Sequence, residues 1–296
     1  MTVAIGTLIP PKLRAEGIEA VATWAKGIGL GALDLPEDFS HAAQVCREHD
    51  LRIGSVNGVG PGQLISKDDH RREEAVTRLR EQIRALPGVG ARVVFLCLVP
   101  EDRTQPIADS LAIYRETFPA IAAECEAAGV RIVFEGWPGP GPAYPTLGYT
   151  PEQWRAMFAA VPSPALGLNY DPSHLVRLGI DYLRVLDEFK ERIYHCHGKD
   201  TALLPEARYL YGDLPPALSK PAPFSGGAWR YCIPGAGAVD WSHVAYALEQ
   251  AGYDGCVSIE LEDARYWGTL EKEQAGITKA YQHLAQYFDQ GTGAAS

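Results

Sequence analysis

Eight short apolar runs, each followed by a stretch with helical periodicity, set the strongest limit on what this chain can become. The runs 3–9, 32–35, 52–56, 92–99, 131–134, 165–169, 193–197 and 256–261 read as strands. The intervals 18–27, 39–49, 67–86, 107–128, 151–160, 181–189, 241–251 and 270–288 read as helices. Regular alternation of the two predicts an α/β protein, a (β/α)8 barrel of one domain over 1–296, in preference to an open sheet. Glycine marks the helix-to-strand joints, as in GVGARVVF, AAGVRIVF and AGYDGCVSIE, where a left-handed C-terminal cap precedes the next strand. Thr150 with Pro151 predicts an N-cap followed by proline in the first helical turn.

A hydrophobic fraction of 46% over 296 residues supplies the large core such a barrel needs. The N-terminal stretch MTVAIGTLIPPKLRAEG has no basic region before its apolar residues and meets prolines at once, so it reads as a first strand and not a signal peptide. No run is long enough to span a membrane. Six cysteines without a CxxC pair predict reduced, buried thiols and a cytoplasmic location. A formal net charge of −10 argues against nucleic acid as a partner.

In a barrel of this kind, chemistry gathers where strands end and their following loops begin. Four predicted strand ends there carry Glu135 (RIVFEGW), Asp171 (ALGLNYDPSH), His197 (RIYHCHGKD) and Glu260 (CVSIELED). Three carboxylates and one imidazole suit a single hard or borderline divalent ion: Mn first, with Mg, Co or Zn as alternatives. His195 shares a strand face with His197, and Glu262 shares one with Glu260, so either could replace its neighbour as a ligand. Glu262 could instead take an arginine such as Arg265. His174, Lys199, Arg230 and Trp137 are candidates for substrate contact, and Asp200 for holding the following loop. The loop at about 201–240 is too long for an ordinary connection over the active-site face, and reads as a lid or a homo-oligomer contact. No strand–GxGxxG–helix unit, P-loop or GxSxG elbow is present.

Through FEG at Glu135, NYDPSHL at Asp171 and His174, HCHGKD at His197, and IPGAGAVDWSHVAYALEQAGYDGCVSIELED through Glu260, the chain resembles the xylose isomerase-like TIM barrels. That superfamily includes sugar isomerases and epimerases and also endonuclease IV-type repair enzymes. The resemblance implies one divalent metal on Glu135, Asp171, His197 and Glu260, with Glu135 and Glu260 also moving the proton. It implies that His174 and Arg230 contact oxygens of a small carbohydrate. The expected activity is a metal-dependent sugar isomerase or epimerase that abstracts a proton beside a carbonyl. A lyase or dehydratase on a keto-sugar or keto-glycoside is the first alternative, followed by a non-catalytic sugar-binding or complex-subunit barrel. A repair nuclease comes last, because the further His and Asp ligands of a three-metal cluster are not found. Gly136 and Trp137 stand where members of the family often have Asn and His, so no particular sugar specificity carries over.

Overall fold

The computed structural model describes residues 3–288. Its strands are β1 (Ala4–Leu8), β2 (Ala32–Leu35), β3 (Arg52–Asn57), β4 (Val93–Leu96), β5 (Arg131–Glu135), β6 (Leu166–Tyr170), β7 (Ile193–Gly198), β8 (Asp200–Leu203), β9 (Trp229–Cys232) and β10 (Cys256–Ile259). All except β8 and β9 form one closed parallel barrel, in which β1 pairs with both β2 and β10. The helices are α1 (Pro11–Arg14), α2 (Ile18–Ile28), α3 (Ser40–Glu48), α4 (Asp69–Ala85), α5 (Ile107–Ala128), α6 (Pro151–Ala160), α7 (Pro172–Leu178), α8 (Tyr182–Phe189), α9 (Pro205–Tyr211), α10 (Trp241–Gln250) and α11 (Leu270–Leu284).

All eight barrel strands fall within the apolar runs or a residue beyond them, with one marked shortening. The run 92–99 contributes only Val93–Leu96, because Leu98 leaves the barrel and bridges Leu147, whose N–H donates to the Leu98 carbonyl at 2.9 Å. Thr150 accepts from the Gln153 N–H and starts α6 as its hydroxyl and the following proline require. Helices α1, α7 and α9 have too few residues to display a periodicity. Asp171 nevertheless caps α7 by accepting from the Ser173 N–H, Pro172 opens it, and Gly179 at φ +70° ends it.

Closure depends on contacts between the ends of the chain. Glu273 of α11, fully buried, accepts the N–H groups of Lys12 and Leu13 at 2.9 and 3.0 Å, satisfying the otherwise unpaired first turn of α1. The segment predicted as a loop at 201–240 has its own frame: β8 and β9 pair antiparallel, with Asp200 opposite Cys232 and Leu203 opposite Trp229. Asp200 holds the return of that segment by accepting the N–H groups of Thr201, Gly235, Gly237 and Val239. Gly237 must be glycine for this, since a Cβ there would collide with the Asp200 carboxylate. The six cysteines are all unpaired, and all but Cys97 are fully buried. Among the described residues, no helix is long and apolar enough to cross a membrane.

Candidate active site

Strands β5, β6, β7 and β10 are consecutive neighbours around the barrel, and parallel pairing brings all their C-terminal ends to one rim. Glu135 is the last residue of β5, Asp171 follows β6, His197 lies near the end of β7, and Glu260 follows β10. Side chains from four distant stretches therefore meet. His197 Nδ1 lies 3.1 Å from Glu135 Oε2, 3.2 Å from Glu260 Oε2 and 4.0 Å from Asp171 Oδ2.

These approaches are close but poorly aligned for hydrogen bonding. Among the described residues, Glu135 Oε1, Asp171 Oδ2 and His197 Nδ1 are buried with no aligned hydrogen bond, only charged neighbours such as His174 Nε2 at 3.2 Å from Glu135 Oε1 and Lys199 Nζ at 3.1 Å from Asp171 Oδ2, an arrangement that is costly unless something further engages them. Donors each about 2.1 Å from one ion stand roughly 3–4 Å apart, and the separations around His197 Nδ1 lie in that range. Glu135, Asp171 and His197 can each offer an atom within 4.8 Å of the others, and so can Asp171, His174 and Glu260. The donor set fits a divalent cation.

Charge is already partly balanced. Lys199, fully buried, places its ammonium against Glu260, 3.1 Å from both Asp171 Oδ2 and Glu262 Oε2, and 3.2 Å from His174 Nε2. Burial opposes that charge, but Asp171, Glu260 and Glu262 outweigh it and hold Lys199 well above the usual lysine range. Burial likewise pushes Glu260 up, yet the Lys199 ammonium and His197 hold its carboxyl down to about 2. Glu135 stays well below the ordinary carboxylate range despite burial, because His174 and His197 lie beside it. Glu262 has its carboxyl raised by burial, an effect Lys199 only partly counters.

Beneath and beside this cluster lie His195, weighed in the sequence as a replacement for His197, and three residues that the sequence did not single out, Asn169, Asp34 and Phe95. Asn169 Nδ2 donates to Glu135 Oε2, and its place two residues before Asp171 on the same face of the chain is a signal that could have revealed it. His195, one layer deeper, lies 3.0 Å from Asp34 Oδ2, which is 3.9 Å from His197 Nε2. Asp34 comes from β2, across the barrel. Burial raises its carboxyl, but His195 overcomes this and holds it low. Phe95 of β4 stacks on the His197 ring with centroids 5.3 Å apart.

The β8–β9 hairpin supplies a side wall. The Tyr231 hydroxyl lies 2.6 Å from His174 Nδ1 and accepts from Arg177 Nη1 at 2.6 Å, while the Arg177 guanidinium covers the Trp229 ring at 4.1 Å. His174 and Lys199 are thus brought into the cluster. Trp137 and Arg230 are half-buried and make no polar contact with it among the described residues; Arg230 approaches Asp263 at 4.0 Å. The expectation that Glu262 pairs with Arg265 is corrected. Arg265 donates from Nε to Asp263 Oδ1 at 2.9 Å, being two residues away on a tight turn that Asp263 caps, while Glu262 faces Lys199.

Comparison with known proteins places this geometry. Residues 11–287 match the xylose isomerase-like TIM barrel family. The chain belongs to that family. An uncharacterized protein of Bacillus subtilis (strain 168), YfiH, is 34% identical over 147 residues, which are 49% of this chain and 44% of that protein. An inosose dehydratase of Lacticaseibacillus casei is 31% identical over 134 residues, 45% of this chain and 41% of that protein. The matched segment spans less than half the length of these relatives. Among solved structures, the IOLI protein with a bound zinc atom superposes with a TM-score of 0.70 at 18% identity, covering 97% of this chain and 100% of that one. The 3-keto-D-glucoside 4-epimerase YcjR of E. coli gives 0.69 at 13% identity, covering 95% and 99%. Mannonate dehydratase of Streptococcus suis gives 0.74 at 14% identity, covering 100% and 98%. At such identities these structures show the fold that this xylose isomerase-like barrel shares with them.

Proposed function

We propose that the chain is a divalent-metal-dependent isomerase or epimerase of a sugar or sugar derivative, working by proton abstraction beside a carbonyl. The observation that carries this reading is the convergence of Glu135, Asp171, His197 and Glu260, in which three buried donor atoms have ion-pair contacts but no aligned hydrogen bond among the described residues. Those four residues would hold the ion, and Mn is the expected metal. When bound, the ion supplies Lewis-acid stabilisation of the negative charge that develops on the substrate oxygens, a contribution of several kcal/mol.

The remaining work falls to side chains. Glu135 and Glu260 approach His197 from two sides, and their carboxylates would accept and return the proton. Such positioned transfer contributes about 10²–10⁴-fold. His174, braced by Tyr231, and Lys199 offer N–H groups to substrate hydroxyls. Trp137 and Arg230, half-open at the mouth, would meet the distal part of the sugar. Exposed Tyr209, Leu210 and Leu214, in the segment joining β8 to β9, support a homo-oligomer contact, which light scattering would report.

A lyase or dehydratase reading is favoured by one observation: the buried Lys199 ammonium beside Glu260, a cation placed to neutralise the charge on a departing β-substituent. The curated relatives named inosose dehydratase agree with it. Metal content of the purified protein, followed by turnover of keto- and aldo-sugars in deuterated solvent, tests both. Isomerase or epimerase action requires stoichiometric metal, loss of turnover on chelation, and one solvent deuteron in a product of unchanged formula. Loss of water or an alcohol would support the lyase. A folded, metal-free protein without turnover would overturn the enzymatic reading.

A further inference from the structure

At the end of the barrel remote from this cluster, three neighbouring strands begin with the same pair of residues, an arginine followed by a β-branched side chain. Arg52-Ile53 opens β3, Arg92 immediately precedes Val93 of β4, and Arg131-Ile132 opens β5. Arg131 N–H donates to the Arg92 carbonyl at 2.8 Å, so these positions lie side by side. A fourth arginine, Arg47, comes from the last turn of α3. All four are exposed, and together with Tyr194 and Asp254 they line a cavity of about 750 Å³.

In a chain of net charge −10, this cavity has three more positive than negative side chains. None of the four arginines has a carboxylate within ion-pair distance among the described residues, whereas Arg71, Arg80, Arg84 and Arg155 all do. A purely structural role accounts for only part of their hydrogen-bonding capacity. Arg52 donates to the Asp254 carbonyl at 3.0 Å and Arg92 to the Ala128 carbonyl at 3.1 Å, each using one of five guanidinium N–H groups. The Arg131 guanidinium carbon lies 4.1 Å from the Tyr194 ring centroid, and its side-chain N–H groups make no hydrogen bond among the described residues. Arg192 provides the contrast. It stands at the same place before β7, but donates to the Ser163 and Leu166 carbonyls, covers Phe158, and does not line the cavity.

Gathering like charges costs energy unless an anion shares them, and planar guanidinium groups match phosphoryl oxygens in pairs. We propose that this cavity binds a small polyanion carrying two or more phosphoryl groups. Its concave form and the acidic balance of the whole chain fit a compact solute better than a nucleic-acid strand.

Calorimetric titration with inorganic pyrophosphate tests this, using chelator-treated protein in metal-free buffer at about 0.15 M salt so that no ion at the opposite rim contributes. Parallel titrations with inorganic phosphate and a nucleoside triphosphate distinguish the sources of the phosphoryl groups. The expected result is one saturable pyrophosphate site that binds more tightly than phosphate. Arg92→Gln with Arg131→Gln should weaken it at least about tenfold, since each charged hydrogen bond contributes more than a neutral one. Glu135→Gln with Glu260→Gln should leave it unchanged, and thermal midpoints of both double variants would confirm folding. The proposal is overturned if millimolar pyrophosphate gives no saturation, if the arginine variant binds as the parent does, or if the glutamate variant abolishes binding.

Discussion

Asp171 shows how closely local folding and chemistry are tied here. Its Oδ1 accepts from the Ser173 N–H at 2.8 Å and starts α7, which leaves Oδ2 turned toward His174 and Lys199. The same carboxylate fixes the backbone and faces the cluster. Glu135→Gln and Glu260→Gln should each retain the fold and lower kcat about 10²–10⁴-fold on any substrate the parent converts. An unchanged kcat in both would assign the proton transfer elsewhere. Asp34→Asn should weaken metal binding about 10–100-fold in a direct metal titration, by loosening the support under His195 and His197. Glu135, Asp171, His197 and Glu260 were legible because each ends an apolar run. Asp34 was not, because β2 meets β7 only across a closed barrel.

The helices depend on caps that the sequence partly advertises. Asp240 accepts from Ser242 and His243 at the start of α10, and these bonds, Ser242 foremost, hold its carboxyl down to about 2 from 3.8. Because the folded chain binds this proton more weakly than the unfolded one, the stabilisation is complete above pH 3.8 and is lost as the pH falls through about 2. Asp240→Ala should therefore cost about 1 kcal/mol at neutral pH and progressively less as the pH falls through about 2, read from denaturant unfolding. Glu273→Ala should cost about 1–3 kcal/mol, since it strands the Lys12 and Leu13 N–H groups of α1. The cap of α10 could be read from Asp-Trp-Ser-His, whereas Glu273 could not be assigned from sequence. Its partners lie some 260 residues earlier in the chain.

At the scale of the molecule, a cluster of buried carboxylates and histidines is stabilised by whatever ion it binds. Saturation with a bound cation at about one hundred times its Kd should add about 2.7 kcal/mol to the unfolding free energy, so chelator should lower Tm and excess Mn should restore it. Insensitivity of Tm to both would argue against a site preformed for metal. The paired glutamates and their Lys199 counter-charge belong to one closed rim, so destabilising β10, which completes the ring between β7 and β1, should reduce metal affinity and stability together.

By itself the sequence determined the repeating strand and helix pattern, the closed barrel it implies, and the residue types that end four adjacent strands, because these follow from periodicity and local chain direction. Tertiary structure alone decided which second groups those residues meet. Asp34 under His195 and Tyr231 against His174 depend on distances and side-chain angles set by packing, which no spacing along the chain encodes. The frame inside residues 201–240 was hidden as well. Unlike the equally short β2, β4 and β10, neither Asp200–Leu203 (DTAL) nor Trp229–Cys232 (WRYC) is an apolar run, and the pair is anchored to the folded barrel through Asp200 and Thr201.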